Sequence, residues 1–348
     1  MRLRVLVAIA LAARAGSGQA VTPLSCEAVV PPSDSGAGRF GRVAEGPAGR
    51  LAWTDGRPGQ ILVRDREGKV RTIGRQGGGP GEFERVGGLG WLGDTLWASD
   101  ALVPRVTFFS DTGRLLRVAT ATPSVDWIPR PDGRLVGLGY ISLGGPTWPP
   151  YLVFAQLPGE LRRDTLKVFP SPPVEHYKLP PQNALNAQPF SFRTSASPSP
   201  SGSRFCSARP DGEATRVECI DDRGRSILNV SMRLDARPLT DAVYDSMIAL
   251  FARGRGRTEQ GMRDLIKRPR NLPAVMSLMI DPSETIWLQR SHSSEPIAHW
   301  TRLRRDGSVR DNLAFPRRYR ILSPQENGFW AAQADNDGLE TLYRCRLR

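Results

Sequence analysis

A β-meander pattern that recurs along almost the whole chain constrains the fold more than any other feature of the sequence. Each copy contains short strands, often with one tryptophan, that alternate with Asp-Gly turns, and the copies recur about every 35 to 45 residues. A single meander of this kind needs neighbours to cover both of its faces. The chain therefore has to fold by packing successive copies against one another.

Six copies can be recognised along the chain. They begin near Leu51, Gly88, Val125, Arg204, Val275 and Tyr319. Six meanders at this spacing predict an all-β fold, a six-bladed β-propeller of four-stranded antiparallel blades, because radial repetition leaves only short, protected strand edges. We expect residues 39–348 to form this propeller as one cooperative unit. A Pro- and Ser-rich segment at residues 170–203 interrupts the pattern, and we interpret it as a long surface loop.

Residues 240–268 break the β pattern with a short helical insertion. Thr240 can cap a first helix whose apolar residues recur at spacings of three and four, and Thr258 can cap a second. We expect this amphipathic pair to cover one end of the β body, and a lid over a ligand site is the functional alternative.

The first 20 residues have the layout of a secretory signal peptide. Arg2 and Arg4 precede an apolar run at residues 5–13, and small residues lead to a cleavage site near Ala20. An ordinary N-terminal strand or a disordered tail is the alternative. Residues 21–38 would then begin the mature chain as an N-terminal segment. We expect export to the periplasm or beyond the cell and no transmembrane segment in the mature chain, because no other stretch reaches membrane length.

The four cysteines form an even set in a chain that we expect to be exported, which favours disulfides. Cys206 and Cys219 flank the turn at Asp211 and Gly212 almost symmetrically, so adjacent antiparallel strands would bring them opposite each other. Cys26 is then left to meet Cys345 in the final strand, a bond that would join the two ends of a closed ring. Buried free thiols are the alternative for either pair.

The formal charge of +13 is carried almost entirely by arginine, since only four of the 48 basic residues are lysine. This skew is more typical of a genomic base-composition bias than of selection for phosphate contacts, and the arginines are scattered along the chain. The densest run, at residues 253–257, has no interleaved aromatic residues. We therefore do not expect nucleic-acid binding, although a basic surface that engages polyanions stays open.

A glycine-rich stretch between the first two meanders could suggest a phosphate-binding loop. The P-loop pattern, however, requires Lys-Ser/Thr after its last glycine, and Gly81 is followed by Glu82 and Phe83. We interpret the stretch as a structural junction between two blades with Phe83 inserted between them. The residues of this junction loop are Gly74, Gly79, Pro80, Gly81, Glu82 and Phe83.

The same residues carry a resemblance to a known group. Ile73-Gly74-Arg75 followed by Gly79-Pro80-Gly81-Glu82-Phe83, together with the Asp-Gly turns and tryptophan strands, resembles the exported bacterial six-bladed β-propellers related to the NHL-repeat group. Related propellers include RNA binders, lactone hydrolases and peptide-amidating lyases, so the resemblance implies a fold and not a reaction.

Catalytic signatures are weak throughout the sequence. His176, His292 and His299 show no metal-ligand spacing, and no catalytic, cofactor-binding or metal-binding residue can be named. We expect no cofactor, with an oxygen-ligated calcium ion in the central channel left open. The expected function is a monomeric binding or scaffold module of the cell envelope, more plausible than an enzyme, whose ligand is an unknown protein, glycan or small molecule. A metal-dependent hydrolase or lyase that uses the channel is the alternative.

Overall fold

The computed structural model describes residues 21–31, 38–123, 125–140, 149–157, 159–173, 175–180, 184–191 and 193–348. Six four-stranded antiparallel sheets contain almost all of the strands, and one further hairpin stands apart from them. The fold is a six-bladed β-propeller, which confirms the predicted fold class. The signal peptide predicted for residues 1–20 lies outside the described residues.

The blades are meanders whose strands run from the channel outwards. The chain begins with β1 (Leu24–Val30), and blade 1 follows with β2 (Val43–Glu45), β3 (Leu51–Trp53), β4 (Ile61–Arg64) and β5 (Val70–Ile73), with a 3-10 turn at Pro47–Gly49. Blade 2 contains β6 (Val86–Leu92), β7 (Thr95–Asp100), β8 (Arg105–Phe109) and β9 (Leu115–Thr120). Blade 3 contains β10 (Val125–Pro129), β11 (Leu135–Tyr140), β12 (Tyr151–Gln156) and β13 (Arg163–Phe169).

A separate hairpin comes between blades 3 and 4, with β14 (His176–Leu179) and β15 (Ala184–Ala187). Blade 4 contains β16 (Ser195–Pro198), β17 (Arg204–Asp211), β18 (Ala214–Asp221) and β19 (Ser226–Met232), and the helices α1 (Asp241–Gly254) and α2 (Glu259–Arg263) follow it. Blade 5 contains β20 (Ser277–Ile280), β21 (Ile286–Gln289), β22 (Ile297–Leu303) and β23 (Val309–Pro316). The chain ends with β24 (Arg320–Gln325), β25 (Gly328–Ala334) and β26 (Glu340–Leu347).

The sixth blade takes its outermost strand from the other end of the chain. Strand β1 pairs with β26 in the sheet order β1-β26-β25-β24, and Cys26 lies opposite Cys345 in that ladder. The sequence predicted a propeller that begins at residue 39. In the structure, the strand Leu24–Val30 is also part of the propeller. The last three strands would otherwise present an unpaired edge, and β1 covers that edge.

Buried clusters between neighbouring blades close the ring. Phe83 is fully buried between Ile61 and Ile73 of blade 1 and Leu96 and Phe109 of blade 2. Corresponding clusters join blades 2 to 4, blades 4 and 5, blades 5 and 6, and blades 6 and 1. Burial of one such aromatic side chain contributes roughly 1.5 to 3 kcal/mol, so these shared clusters account for much of the cohesion between blades.

The meander fixes which loops share a face of the disc. Strands alternate in direction, so the chain passes between blades on the same face that carries the connections between second and third strands. We call this the upper face. The segments between blades 3 and 4 and between blades 4 and 5 are the two long insertions, and both therefore belong to the upper face.

The segment interpreted as a loop, residues 170–203, contains β14, β15 and the innermost strand of blade 4, β16. Proline and serine obscured this strand, because an innermost strand has one edge free of ladder hydrogen bonds and tolerates Pro198 there.

The predicted helices are present and pack mainly on this hairpin. The hydroxyl of Thr240 accepts a hydrogen bond from the Val243 amide at 3.3 Å, and that of Thr258 accepts one from the Gly261 amide at 3.1 Å. The apolar face of α1 packs against Tyr177 and Phe190 in a cluster of its own. We call the described part of residues 171–191 together with residues 233–276 the satellite, because its core is separate from those of the blades.

Candidate functional site

A cavity of about 300 Å³ opens on the upper face at the junction of blades 3 and 4. It is lined by Tyr140, Pro149, Tyr151, Ser171, Arg193 and Thr194. We call it the Tyr-Arg pocket.

The two tyrosines of this pocket are held side by side by strand register. Tyr140 ends β11 and Tyr151 begins β12, and their Cα atoms are direct partners in the ladder. Directly opposed residues of an antiparallel pair project their side chains from the same face of the sheet, so both rings line one wall. Two hydrogen bonds fix the other lining residues. The Thr194 hydroxyl donates to the Pro170 carbonyl at 2.7 Å, and the Ser171 hydroxyl donates to the Pro149 carbonyl at 3.0 Å.

The electrostatics of the Tyr-Arg pocket combine a desolvated cation with two phenols. Burial lowers the pKa of the Arg193 guanidinium, and the nearby Tyr151 opposes this shift. Burial raises the pKa of the Tyr151 phenol, Arg193 opposes the rise and Tyr140 adds to it. A half-buried guanidinium attracts an anionic group more strongly than a fully exposed one, and the rings offer apolar faces beside it. This arrangement suits a small molecule with one anionic group and a flat apolar part.

A second group of charged side chains lies at the upper mouth of the central channel. Arg42 precedes the first strand of blade 1, Arg85 precedes that of blade 2, and Asp126 lies in the first strand of blade 3. The Arg42 guanidinium approaches the Asp126 carboxylate to 4.0 Å. Partial desolvation at the channel mouth raises the pKa of Asp126, and Arg42 and Arg85 oppose that rise.

Two of the three histidines lie in a cationic cluster where the satellite meets blade 5. Burial, together with the charges of Arg237, Arg317 and Arg290, lowers the pKa of His299 to about 4. Burial also lowers the pKa of His292, with Arg317 as the second cause. Three arginines beside His299 disfavour a metal cation there, because a bound cation would be repelled by each of them.

The arginines of this cluster bind backbone carbonyls and tie the satellite to the blade. The Arg290 guanidinium donates to the carbonyls of Asp235 and Ala274 at 2.6 Å each, and these residues flank the helical insertion on both sides. Arg237 forms an ion pair with Glu295 of the connection between β21 and β22. The Phe190 ring, which follows the satellite hairpin, lies 5.5 Å from the His292 ring and adds an aromatic contact between the satellite and blade 5.

The junction loop uses its polar groups internally. The Glu82 carboxylate accepts from the Gly79 amide at 2.8 Å and from Arg75 at 2.6 Å, and Arg105 of blade 2 donates to the carbonyls of Gly78 and Glu82. Gly74 has a φ of 75°, and a Cβ there would lie 2.8 Å from the Gly59 carbonyl oxygen. Gly81 and Pro80 complete the turn that leads to the buried Phe83. The Gly79 amide binds Glu82 and the Gly77 amide binds the Phe83 carbonyl, so neither is directed at a phosphate group.

Both cysteine pairs named from the sequence are bonded in the structure. Cys26 is joined to Cys345 and Cys206 to Cys219, and no described cysteine is free. His176 lies at the start of the satellite hairpin, whereas the other two histidines belong to blade 5.

No group of three His, Cys, Asp or Glu side chains within the described ranges is placed to hold a metal ion. Asp126 is a carboxylate at the mouth of the channel, and the charged groups that act on it are Arg42 and Arg85. The surroundings of Asp126 therefore fit an anion better than a calcium ion.

No helix in the described part of the chain is long and apolar enough to cross a membrane.

Comparisons with known proteins support the fold. No family model matches the chain, and no curated protein matches it. Among solved structures, a Bacteroides fragilis protein named for its expected export aligns over 94% of this chain and 96% of its own, with 11% identity and a TM-score of 0.53. A member of the DUF4221 family from Bacteroides vulgatus aligns over 90% and 93%, with 11% identity and a TM-score of 0.52.

The likeness is one of fold. Virginiamycin B lyase from Staphylococcus aureus also aligns, over 94% of this chain and 100% of its own, with 10% identity and a TM-score of 0.45. At such identities the shared architecture does not transfer a reaction. The chain thus resembles exported bacterial six-bladed propellers, as the junction loop and the Asp-Gly turns indicated.

The sequence patterns did not predict the residues of either upper-face site. Tyr140 and Tyr151 stand at the two ends of a connection rich in glycine and proline, which is a local signal for a ligand loop. Arg42 and Arg85 occupy the same position, directly before the first strand of two successive blades. A comparison of equivalent positions between blades would have found the arginines, whereas Arg193 joins the tyrosines only in three dimensions.

Proposed function

We propose that the protein is an exported binding module that holds a small organic anion in the Tyr-Arg pocket. The observation that carries this proposal is the half-buried Arg193 guanidinium beside two tyrosines that are paired across an antiparallel ladder, in a cavity of about 300 Å³. This volume lies at the small end of the range found for small-molecule sites, about 300 to 1,000 Å³. The ligand that fits is a small molecule with a carboxylate or similar group and one flat ring.

Export is supported by three independent features. The first 20 residues have the composition of a signal peptide, and both cysteine pairs are bonded. One protein of the same fold is named for its expected export. The periplasm or the cell exterior is the compartment in which we place the binding function.

The test is a ligand screen with matched variants. Aromatic carboxylates are screened by thermal shift, and hits are measured by calorimetry. We expect Arg193→Gln to weaken binding of a hit about 10- to 100-fold, because a hydrogen bond to a charged group contributes roughly 1.5 to 3 kcal/mol. Tyr151→Leu should weaken it several-fold through loss of the aromatic face.

Arg162→Gln is the control, since Arg162 is an exposed arginine in the connection between β12 and β13 on the opposite face. The absence of any hit in the wild-type protein, or hits that bind both pocket variants unchanged, would contradict the proposal. The alternative of a metal-dependent hydrolase or lyase stays a prediction, and metal analysis of the purified mature protein tests it.

A further inference from the structure

The ion pair between Arg42 and Asp126 crosses the mouth of the central channel. Arg42 belongs to blade 1 and Asp126 to blade 3, and the whole of blade 2 separates them around the ring. Side chains from blades that do not touch each other can approach to 4.0 Å only across the opening that all six blades share. Arg85 directly precedes the first strand of blade 2 on the same face, and its charge lowers the pKa of the same carboxylate.

The pair is open to water and therefore easily displaced. The side chains of Arg42 and Asp126 are 57% and 60% exposed. Ion pairs this exposed contribute little to stability, because both groups keep most of their hydration. The charge of Arg85 also lowers the pKa of the Asp126 carboxylate. Two guanidinium groups thus share one carboxylate at the mouth.

We propose that the upper mouth of the central channel is a binding site for a small oxyanion. Arg42 and Arg85 bind the oxyanion, which displaces the Asp126 carboxylate. Planar guanidinium groups pair with the oxygens of carboxylate, sulfate and phosphate groups through two parallel hydrogen bonds. Arg42 already pairs with the Asp126 carboxylate and the charge of Arg85 acts on the same group, so a diffusible oxyanion would replace that carboxylate as their partner.

Anion binding at this position is coupled to the uptake of a proton. Arg42 and Arg85 are the charged groups that face Asp126, and both favour its ionised form against the effect of burial. A bound oxyanion neutralises the two arginine charges that favour the ionised form of Asp126, and it adds a negative charge nearby. The pKa of Asp126 therefore rises on binding. Asp126 then takes up a proton when the oxyanion binds, and the affinity increases as the pH falls.

This site is separate from the Tyr-Arg pocket and does not depend on it. The pocket is built from blades 3 and 4, whereas the arginines of the mouth come from blades 1 and 2. Loss of binding at one site should therefore leave the other unchanged.

The experiment uses sodium sulfate as the probe, because sulfate keeps its double charge over the whole pH range. Calorimetry on the mature protein at pH 5 and pH 8, at constant ionic strength and in buffers of different ionisation enthalpy, gives the affinity and the number of protons taken up. We expect tighter binding at pH 5, with Arg42→Gln and Arg85→Gln each weakening it about 10-fold. Acetate and phosphate, measured in parallel, decide whether the site prefers a carboxylate or a tetrahedral anion.

Asp126→Asn provides the decisive variant. It should bind sulfate more tightly at pH 8, take up no proton, and lose the dependence of affinity on pH. Arg162→Gln is the control for the loss of one positive charge, and melting temperatures verify that every variant is folded. The proposal is overturned if the wild-type protein does not bind sulfate below about 10 mM, if Arg42→Gln and Arg85→Gln bind like Arg162→Gln, or if Asp126→Asn weakens binding.

Discussion

His299 is the residue in which local charge most clearly shapes the properties of the molecule. It lies half-buried in the third strand of blade 5 with Arg237, Arg290 and Arg317 around it, and its pKa is lowered to about 4. The unfolded chain binds a proton near pH 6.5, so the unfolded state gains protons first as the pH falls. The stabilisation by neutral His299 is complete above pH 6.5 and is lost as the pH falls through about 4.

We therefore expect His299→Gln to make the protein less sensitive to acid. Between pH 7 and pH 4.5, the loss in the free energy of unfolding should be smaller in the variant by on the order of 2 kcal/mol, after allowance for the partial exposure of the ring. Urea unfolding at the two pH values measures this difference, with His176→Gln of the satellite hairpin as the control. Equal losses in the wild-type protein and His299→Gln would contradict the assignment.

Residues that act within a local pattern could be predicted from the sequence, and residues that meet only in space could not. Phe83 follows five glycines and a proline, so its insertion between two blades could be inferred from the loop alone, and its side chain is fully buried. Arg193 comes from a segment interpreted as a loop, and nothing in its neighbourhood predicts the proximity of Tyr151. The pocket depends on a blade register that the sequence does not specify.

At the scale of elements, the satellite is the part of the fold that is least integrated with the rest. The sequence predicted its helices, because their apolar residues recur at the helical period, but it did not predict the hairpin that covers them. Their shared core is separate from the clusters that join the blades. Arg290 links the satellite to blade 5 through hydrogen bonds to the carbonyls on both sides of the insertion.

We expect the satellite to open before the blades do. Amide hydrogen exchange in α1 should be faster than in β7, and Arg290→Met should accelerate exchange in α1 further without changing β7, because it leaves two carbonyls unpaired at a cost of about 1 to 3 kcal/mol each. Arg162→Met is the matched control on the opposite face. Exchange in α1 as slow as in β7, or an equal acceleration in both elements, would show that the satellite and the blades unfold together.

At the scale of the whole molecule, stability depends on how the ring is closed. Strand β1 completes the blade formed by the last three strands, and the Thr22 amide donates to the Ala314 carbonyl of blade 5 at 2.7 Å. The number of blades could be predicted from the repeat, but the origin of the sixth outer strand could not, because a single strand near the N-terminus has no meander around it. Only the pairing of Cys26 with Cys345 indicated that the two ends meet.

The bond between Cys26 and Cys345 should therefore stabilise the protein more than the bond between Cys206 and Cys219. The first spans 319 residues and the second 13. In the loop-closure model, they reduce the entropy of the unfolded chain by amounts worth about 5 to 6 and about 3 kcal/mol. The double variant Cys26→Ala/Cys345→Ala should accordingly unfold at lower urea concentration than Cys206→Ala/Cys219→Ala, which serves as its control.

Non-reducing peptide mapping of protein isolated from the cell envelope verifies the pairing, and four free thiols or a bond between Cys26 and Cys206 would contradict it. If both double variants lose the same stability, the closure of the ring depends on the ladder between β1 and β26, and the disulfide only secures an edge that backbone hydrogen bonds already hold.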